Sequence, residues 1–238
     1  MEDGEGEAPA RAPLPVLYLD EHIVVVNKPS GLASHRGWAR DPEGYVLTRV
    51  RDQLGGDHVY LGHRLDRATS GAIVLARRPE LQAPLQRAFA ERVTTKRYLV
   101  GVRGVPEAEG LIDYAIPKSS RRDPVRVDAR TRYRRLAEFE NRYALLECTL
   151  ETGRLHQIRR HMRHLRNPVL GDTTYGDNQA NKVVRERFGL NRLALHAAAL
   201  AFPHPVTDDE VSVLAPVPDD LAAPFARMGF SHATDGFT

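Results

Sequence analysis

The chain has 238 residues, of which 42% are hydrophobic and 27% charged, and a formal net charge of +3. This is the composition of a soluble globular protein long enough to bury a core, and no apolar run approaches the length of a membrane span. The acidic, proline-rich start MEDGEGEAPARAPLP lacks the basic end and apolar centre of a signal peptide.

In chain order, residues 1–15 are expected to be a disordered lead-in. Val16–Leu19 and Ile23–Val26 read as a hairpin turning at Asp20–His22, and Asn27-Lys28-Pro29-Ser30-Gly31 breaks the pattern. Val46–Leu54 has helical spacing and ends at Gly55-Gly56. Val59–Leu61 and Ala72–Ala76 read as buried strands around the charged loop HRLDRATSG. A second helix is expected over Pro79–Arg92 and a strand over Lys96–Val102. Asp113–Arg130 reads as an exposed basic loop. Arg132–Phe139 and Tyr143–Leu150 form a second hairpin turning at Glu140-Asn141. Leu155, Ile158, Met162 and Leu165 then mark an amphipathic helix with an arginine and histidine face. Strand candidates at Ala194–Phe202 and Val211–Leu214, a closing helix over Asp219–Phe230 and a disordered tail over 231–238 complete the chain. Strands in hairpins outnumber helices, which predicts one α+β domain over 16–230 on a mixed, mostly antiparallel central sheet.

The charges are clustered. The first ten residues hold four acids and no base, so the rest carries 34 bases against 27 acids. Residues 118–135 hold eight bases and two acids, and residues 153–166 hold five arginines and no acid. Guanidinium forks suit phosphate oxygens, which points to nucleic acid; a solvated basic face is the plainer alternative. The lone cysteine, Cys148, cannot close an internal disulfide, which fits a reducing cytoplasm, and its setting YALLECTL favours a core residue.

His63–Gly71 places one carboxylate, Asp66, between Arg64 and Arg67 in a glycine-ended loop between two strands. An ordinary ion-pair loop would have this composition too, but a buried carboxylate needs partners or a task. Several other chemistries lack their marks. There is no phosphate-binding GxxxxGK[ST], no dinucleotide fingerprint and no CxxC pair. His156, His161 and His164 lie among arginines that disfavour a cation, so no metal is expected. Ser70, His63 and Asp66 sit too close in one loop for a triad, and no GxSxG elbow is present.

HRLDRATSG resembles the signature of the RluA-type pseudouridine synthases, HRLD followed by two residues and TSG. Asn27–Gly31 with His35, Lys96-Arg97-Tyr98, and Thr152–His161 followed by Pro168, Gly171-Asp172 and Tyr175-Gly176 resemble further motifs of that family, in the same order. HRGW at His35–Trp38, RHMRHLRNPVLGD and Phe188–Ala197 are similar to the members that modify uridine 65 of tRNA. Members acting on large-subunit rRNA share the same four motifs, and a non-catalytic RNA-binding protein on this scaffold is the remaining alternative. The fifteen residues before the first strand are too few for an S4 RNA-binding domain.

The resemblance implies a cofactor-free isomerase that breaks N1–C1′ of a flipped-out uridine and joins C5 to C1′. It assigns Asp66 as the essential carboxylate, as nucleophile or as base, Arg159 as its ion-pair partner, and Tyr98 as the ring against the extruded uracil. By itself a strand tyrosine would read as core. Arg64 would fill the space left by the base. His63, Arg67, Thr69, Arg154 and His156 would shape or line the site, and Asn27 and Lys28 would shape a turn beside it or touch substrate. Arg121, Arg122, Arg160 and Arg163 would meet RNA phosphates. The partner is therefore RNA, with no membrane and no obligate protein partner; a cytoplasmic monomer is expected.

Overall fold

The computed structural model describes residues 12–36, 44–119, 122–234 and 236. Expectations for the first eleven residues, Trp38 and Arg121 fall outside them. The runs Ile23–Val26 and Ala72–Ala76 are buried on both sides. Val24, Val26, Ile73 and Leu75 point into one apolar cluster, and Ile23, Val25, Ala72 and Val74 into another. Successive strand residues face opposite sides of a sheet, so an uninterrupted apolar run belongs to a central strand covered on both faces.

The order is β1 (Val16–Leu19), β2 (Ile23–Lys28), α1 (Val46–Gln53), β3 (Tyr60–Leu61), β4 (Ser70–Ala76), a 3₁₀ turn at Pro79–Leu81 and α2 (Gln82–Ala90). It continues with β5 (Thr95–Arg103), β6 (Glu109–Asp113), β7 (Ile116–Pro117), β8 (Arg126–Val127), β9 (Arg130–Phe139), β10 (Tyr143–Leu150) and α3 (Gln157–His164). It ends with α4 (Asn178–Phe188), β11 (Leu195–Pro203), β12 (Glu210–Leu214), α5 (Asp219–Arg227) and α6 (Ser231–Thr234). Ten strands form one sheet in the order β1-β2-β4-β11-β5-β10-β9-β6, with β3 on β4 and β12 on β11. Only β4 and β11 run parallel, through His196–Ser70 and Ala197–Gly71. The α+β architecture is the expected one. Among the described residues no helix is long and apolar enough to cross a membrane.

Several boundaries differ from the sequence expectations. Leu14 is buried, and its N–H and C=O bond the Gln53 side chain at 2.8 and 3.0 Å, so the fold takes hold before residue 16. Ser231–Thr234 is helical and packs Thr234 inside, not part of a disordered tail. Within the expected basic loop, β7 and β8 pair as a small arm. Strand β6 buries only Ile112, and α4 only Val184 and Phe188, so neither had the periodicity that reveals an element. The caps of α4 were legible, however. Asp177 accepts the N–H of Gln179 and Ala180, and Gly189 closes the helix at φ 72°. Cys148 is a core residue, as expected, and burial pushes its thiol pKa up.

The parallel contact of β4 with β11 constrains one residue strictly. Gly71 has φ 116°, and a Cβ there would lie 2.2 Å from the carbonyl oxygen of Ala197. Both the backbone conformation and the space exclude a side chain. Gly71→Ala is expected to cost more than about 4 kcal/mol and yield little soluble protein. Gly153→Ala, where no atom lies within 4 Å of the new Cβ, should leave the thermal midpoint nearly unchanged. Melting curves of the two variants check both outcomes.

Candidate active site

The loop between β3 and β4 is held chiefly by the segment after β2. Lys28 is fully buried, and its Nζ donates to the carbonyls of Pro29, Leu32 and Arg67 at 2.9, 2.7 and 3.1 Å. Three carbonyls match the three N–H bonds of an ammonium. Burial pushes its pKa down to about 7, helped by Arg192 and Arg67 and opposed by Asp66. Ser30 Oγ donates to Ala68 O, Gly31 N–H to Arg67 O, and Arg67 Nε to Gly31 O. Ser34 Oγ donates to Leu65 O and accepts Leu65 N–H. These bonds fix residues 65–68 by their backbone, leaving the Arg64 and Asp66 side chains to face a cavity. Asn27 Nδ2 donates to Pro216 O. Asn27 and Lys28 therefore serve the scaffold, whereas Arg67 is exposed; the complete burial of Lys28 leaves it shaping the turn and corrects the alternative that it touches RNA.

The loop enters β4 through a buried polar chain. His196 Nε2 lies 3.0 Å from the carbonyl of Ala215, which can only accept, so Nε2 carries the ring proton. Nδ1 then accepts from Ser70 Oγ at 2.8 Å, and Ser70 Oγ accepts from Arg192 Nη2 at 2.6 Å. Burial pushes the His196 pKa down to about 4, with Arg192 adding to it, so the ring is neutral at physiological pH. Arg192 is held in turn by Asp220 at 2.8 Å. Ser70 is fully buried and is a structural hydroxyl.

The cavity has a volume of about 560 Å³, and Asp66 is the one acid on its wall among the described residues. Asp66 Oδ2 lies 3.3 Å from Arg159 Nη1, on helix α3. The other edge of Arg159 forks onto Asp172, with Nε to Oδ2 at 2.7 Å and Nη2 to Oδ1 at 2.9 Å. Asp172 is buried and also accepts the N–H of Thr174 and Tyr175, both at 2.9 Å. Burial alone would raise its pKa, but Arg159 and these backbone N–H groups outweigh it and hold the carboxyl below its usual range. Burial would likewise weaken the Arg159 charge, yet Asp172 and Asp66 raise its pKa above the ordinary value.

His156 precedes α3 in a left-handed conformation, φ 54°. Arg160 Nε donates to Tyr175 Oη at 2.9 Å, which leaves the phenolic proton for His156 Nδ1 at 3.0 Å. His156 Nε2 then points its proton toward Asp66 Oδ2, 3.7 Å away. Burial lowers the His156 pKa, against the opposing pull of Asp66. Tyr98 lines the cavity, and burial followed by the Asp66 charge pushes its hydroxyl pKa up, so the phenol stays protonated. Among the described residues nothing hydrogen-bonds that hydroxyl.

Of the residues singled out in the sequence, Asp66, Tyr98, Arg159, Arg64, His63, Thr69, Arg154 and His156 line the cavity. Arg64 is exposed at its edge. His63 stacks on Phe89 at 4.3 Å and accepts Val74 N–H, and burial pushes its pKa down to about 3. Arg154 is exposed and donates to Asp128 O. Arg160 is a correction. It is buried, and its guanidinium bonds Pro117 O, Ser119 O and Tyr175 Oη, so it pins the β7–β8 arm to α3 and is not offered to phosphate. The arginine and histidine face of α3 is turned inward, with Arg159, Arg160 and His161 all buried. Arg163 is exposed and donates to Tyr175 O, and Arg122 is exposed on the arm. Asp172, Tyr175, Ser34, Arg192 and His196 were not among the expected site residues. Asp172 and Tyr175 stood in quoted motifs, and an acid in an apolar, glycine-rich turn was their signal.

A cleft whose wall carries five arginine and lysine side chains and one aspartate, held by an arginine anchored from behind, fits an enzyme with a polyanionic substrate. Comparison with known proteins makes the assignment specific. A family model described as RNA pseudouridylate synthase matches residues 22–164. The tRNA pseudouridine synthase C of Vibrio parahaemolyticus is 40% identical over 234 residues, covering 90% of this chain and 95% of that protein. The protein of the same name in Vibrio vulnificus is 43% identical, covering 86% and 91%. The solved structure of human RNA Pseudouridylate Synthase Domain Containing 4 superposes with a TM-score of 0.76 at 27% identity, covering 90% of this chain and 93% of that one. The chain belongs to the RluA-type RNA pseudouridine synthase family, and its activity is the isomerisation of uridine in RNA.

The Arg159–Asp172 fork generates a prediction. Asp172→Asn leaves a buried guanidinium without its full counter-charge, a loss of about 3–5 kcal/mol for a buried pair. Arg159 is then free to turn away from Asp66, and turnover should fall more steeply than RNA affinity. Because the folded-state pKa of Asp172 is depressed, its contribution is fully present above the ordinary value of 3.8 and is lost as pH falls through the lower folded value. Denaturant titrations should show the gap between wild type and Asp172→Asn wide at pH 6 and closing below about pH 3.8. A gap independent of pH would contradict the assignment.

Proposed function

We propose that this enzyme converts a uridine of tRNA to pseudouridine, with Asp66 as the carboxylate that meets the sugar, as nucleophile at C1′ or as base on a ribose proton. The observation that carries this reading is the pairing of Asp66, the only acid on the cavity wall among the described residues, with Arg159 at 3.3 Å. The tRNA target is supported by similarity to relatives named tRNA pseudouridine synthase C. Breaking N1–C1′ and forming C5–C1′, with the C5 proton lost and one proton taken up at N1, leaves the composition and the overall oxidation level unchanged, so the reaction calls for no redox cofactor.

The target uridine leaves its stack, at a cost of a few kcal/mol, and enters the cavity. Arg64, exposed at the edge, has a planar guanidinium suited to stack where the base was. Tyr98 offers its ring to the uracil face, and its protonated hydroxyl is placed to hydrogen-bond the base as it turns. Arg159 supplies the counter-charge to Asp66 and, being tied to Asp172, reorganises little during the reaction. Arg154, Arg163, Arg121 and Arg122 are taken to meet backbone phosphates. The enzyme is taken to work as a cytoplasmic monomer without a cofactor.

Asp66→Asn keeps the shape of the loop and removes the charge. Pseudouridine formation, read as tritium released from C5-labelled tRNA, should fall at least about a thousandfold while tRNA binding stays within a few-fold. Retained turnover in this variant would overturn the role of Asp66. Tyr98→Phe keeps the ring and removes the hydroxyl. The base should still be bound, so the loss should appear in kcat with KM little changed. Mapping pseudouridine in tRNA and rRNA of a deletion strain identifies the target, and a site lost only from rRNA would reject the tRNA assignment.

A further inference from the structure

One charged residue of the cavity has no role in the scheme above. Lys96 lies on β5 two residues before Tyr98, so both side chains project from the same face of the strand, about 7 Å apart along it. It lines the cavity and is only 7% exposed. Among the described residues its ammonium makes no hydrogen bond and no ion pair. Its Nζ lies over the face of Phe89, 5.9 Å from the ring centroid, and its charge also acts on His63. Burial lowers the Lys96 pKa, and the positive charge of Arg92, also on the wall, adds to it. An ammonium on the cavity wall with a second cation on the same wall and no acid bonded to it lacks the partners that Lys28 has in its three carbonyls. Asp66 does not relieve it, being engaged by Arg159 and approached by His156. The wall as a whole carries Arg64, Arg92, Lys96, Arg154 and Arg159 against that one acid.

We propose that Lys96, with Arg92 beside it, forms an anion subsite that holds the phosphodiester adjoining the extruded uridine. The inference rests on the uridine-isomerising activity and adds a binding contact to it. A compact ammonium with three donors suits a phosphate as a point charge, and Arg92 on the exposed turn after α2 would close on its outer oxygens. The spacing along β5 lets one nucleotide place its base against Tyr98 and its phosphate against Lys96. The subsite is empty of negative charge until RNA arrives, so it rewards the flipped nucleotide and not the stacked one.

The test compares wild type with Lys96→Met, which keeps the aliphatic stem over Phe89, and Lys96→Arg, which keeps the charge. The probes are tRNA transcripts carrying tritiated uridine, and ligated tRNAs with a single uncharged methylphosphonate on the 5′ or the 3′ side of the modified uridine. The expected result is a rise in KM of about tenfold for Lys96→Met, with the greater part of the loss in KM and not in kcat, substantially restored in Lys96→Arg. The slope of log affinity against log salt should shrink by about 0.7–0.9, the share of one phosphate contact. One of the two methylphosphonates should cost wild type a similar factor and cost Lys96→Met nothing further. A loss confined to kcat with an unchanged salt slope would overturn the proposal and place Lys96 on the base. So would equal methylphosphonate effects in both proteins, or no effect of either methylphosphonate on wild type, a readout that stands even if Lys96→Met fails to fold. Absence of any pseudouridine in the tRNA with wild type would instead reject the proposed tRNA target.

Discussion

Arg159 bridges two carboxylates, and the rest of the site is arranged around that bridge. Its fork onto Asp172 is short and buried, while its contact with Asp66 is longer and opens on the cavity. A guanidinium that is bidentate on one side has little freedom on the other. Asp66 therefore faces a cation whose position is set from behind by Asp172, itself fixed by the backbone of Thr174 and Tyr175. Such a chain needs three separated segments to converge: the loop before β4, the start of α3 and the turn after it. The sheet brings them together, because only β11 separates β4 from β5, and β5 pairs with β10, the strand that leads into α3.

The same economy appears in the aspartate loop. Its conformation is set less by its own side chains than by donors and acceptors from the segment after β2: Lys28, Ser30, Gly31 and Ser34. Backbone groups buried in a loop must find partners, and here nearly every one is supplied by a second loop. Gly71 and the Ser70–His196–Arg192 chain do the corresponding work where the loop enters the sheet. Short motifs far apart in the chain are thus two halves of one hydrogen-bonded unit. Arg160 and Tyr175 extend the unit to the β7–β8 arm, so the basic segment and the aspartate share a common framework.

Much of this was legible in advance, for identifiable reasons. The hairpin at Val16–Val26, the turn at Glu140–Asn141 and the helix at Val46 announce themselves by periodicity or turn chemistry, and both turn residues adopt positive φ, 53° and 50°. Asp66, Arg159 and Tyr98 were named from motif resemblance and do meet in one cavity. What failed were assignments from polarity alone. Arg160 is expected from its charge to meet phosphates, yet it is buried with partners from Pro117, Ser119 and Tyr175. Strand β6 and helix α4 were missed because a mostly exposed element needs only one or two apolar anchors.

From residue order alone came the class of fold, the family resemblance and the identity of the central aspartate, because alternation, turn residues and motif order are local properties of the chain. Which guanidinium is buried among protein acceptors and which stays exposed was decided only by the tertiary structure. Arg160 and Arg163 are neighbours on one helix, and Lys28 and Lys96 are both buried lysines, yet their tasks differ. A side chain's task depends on the carbonyl, carboxylate or empty space that distant segments place opposite it.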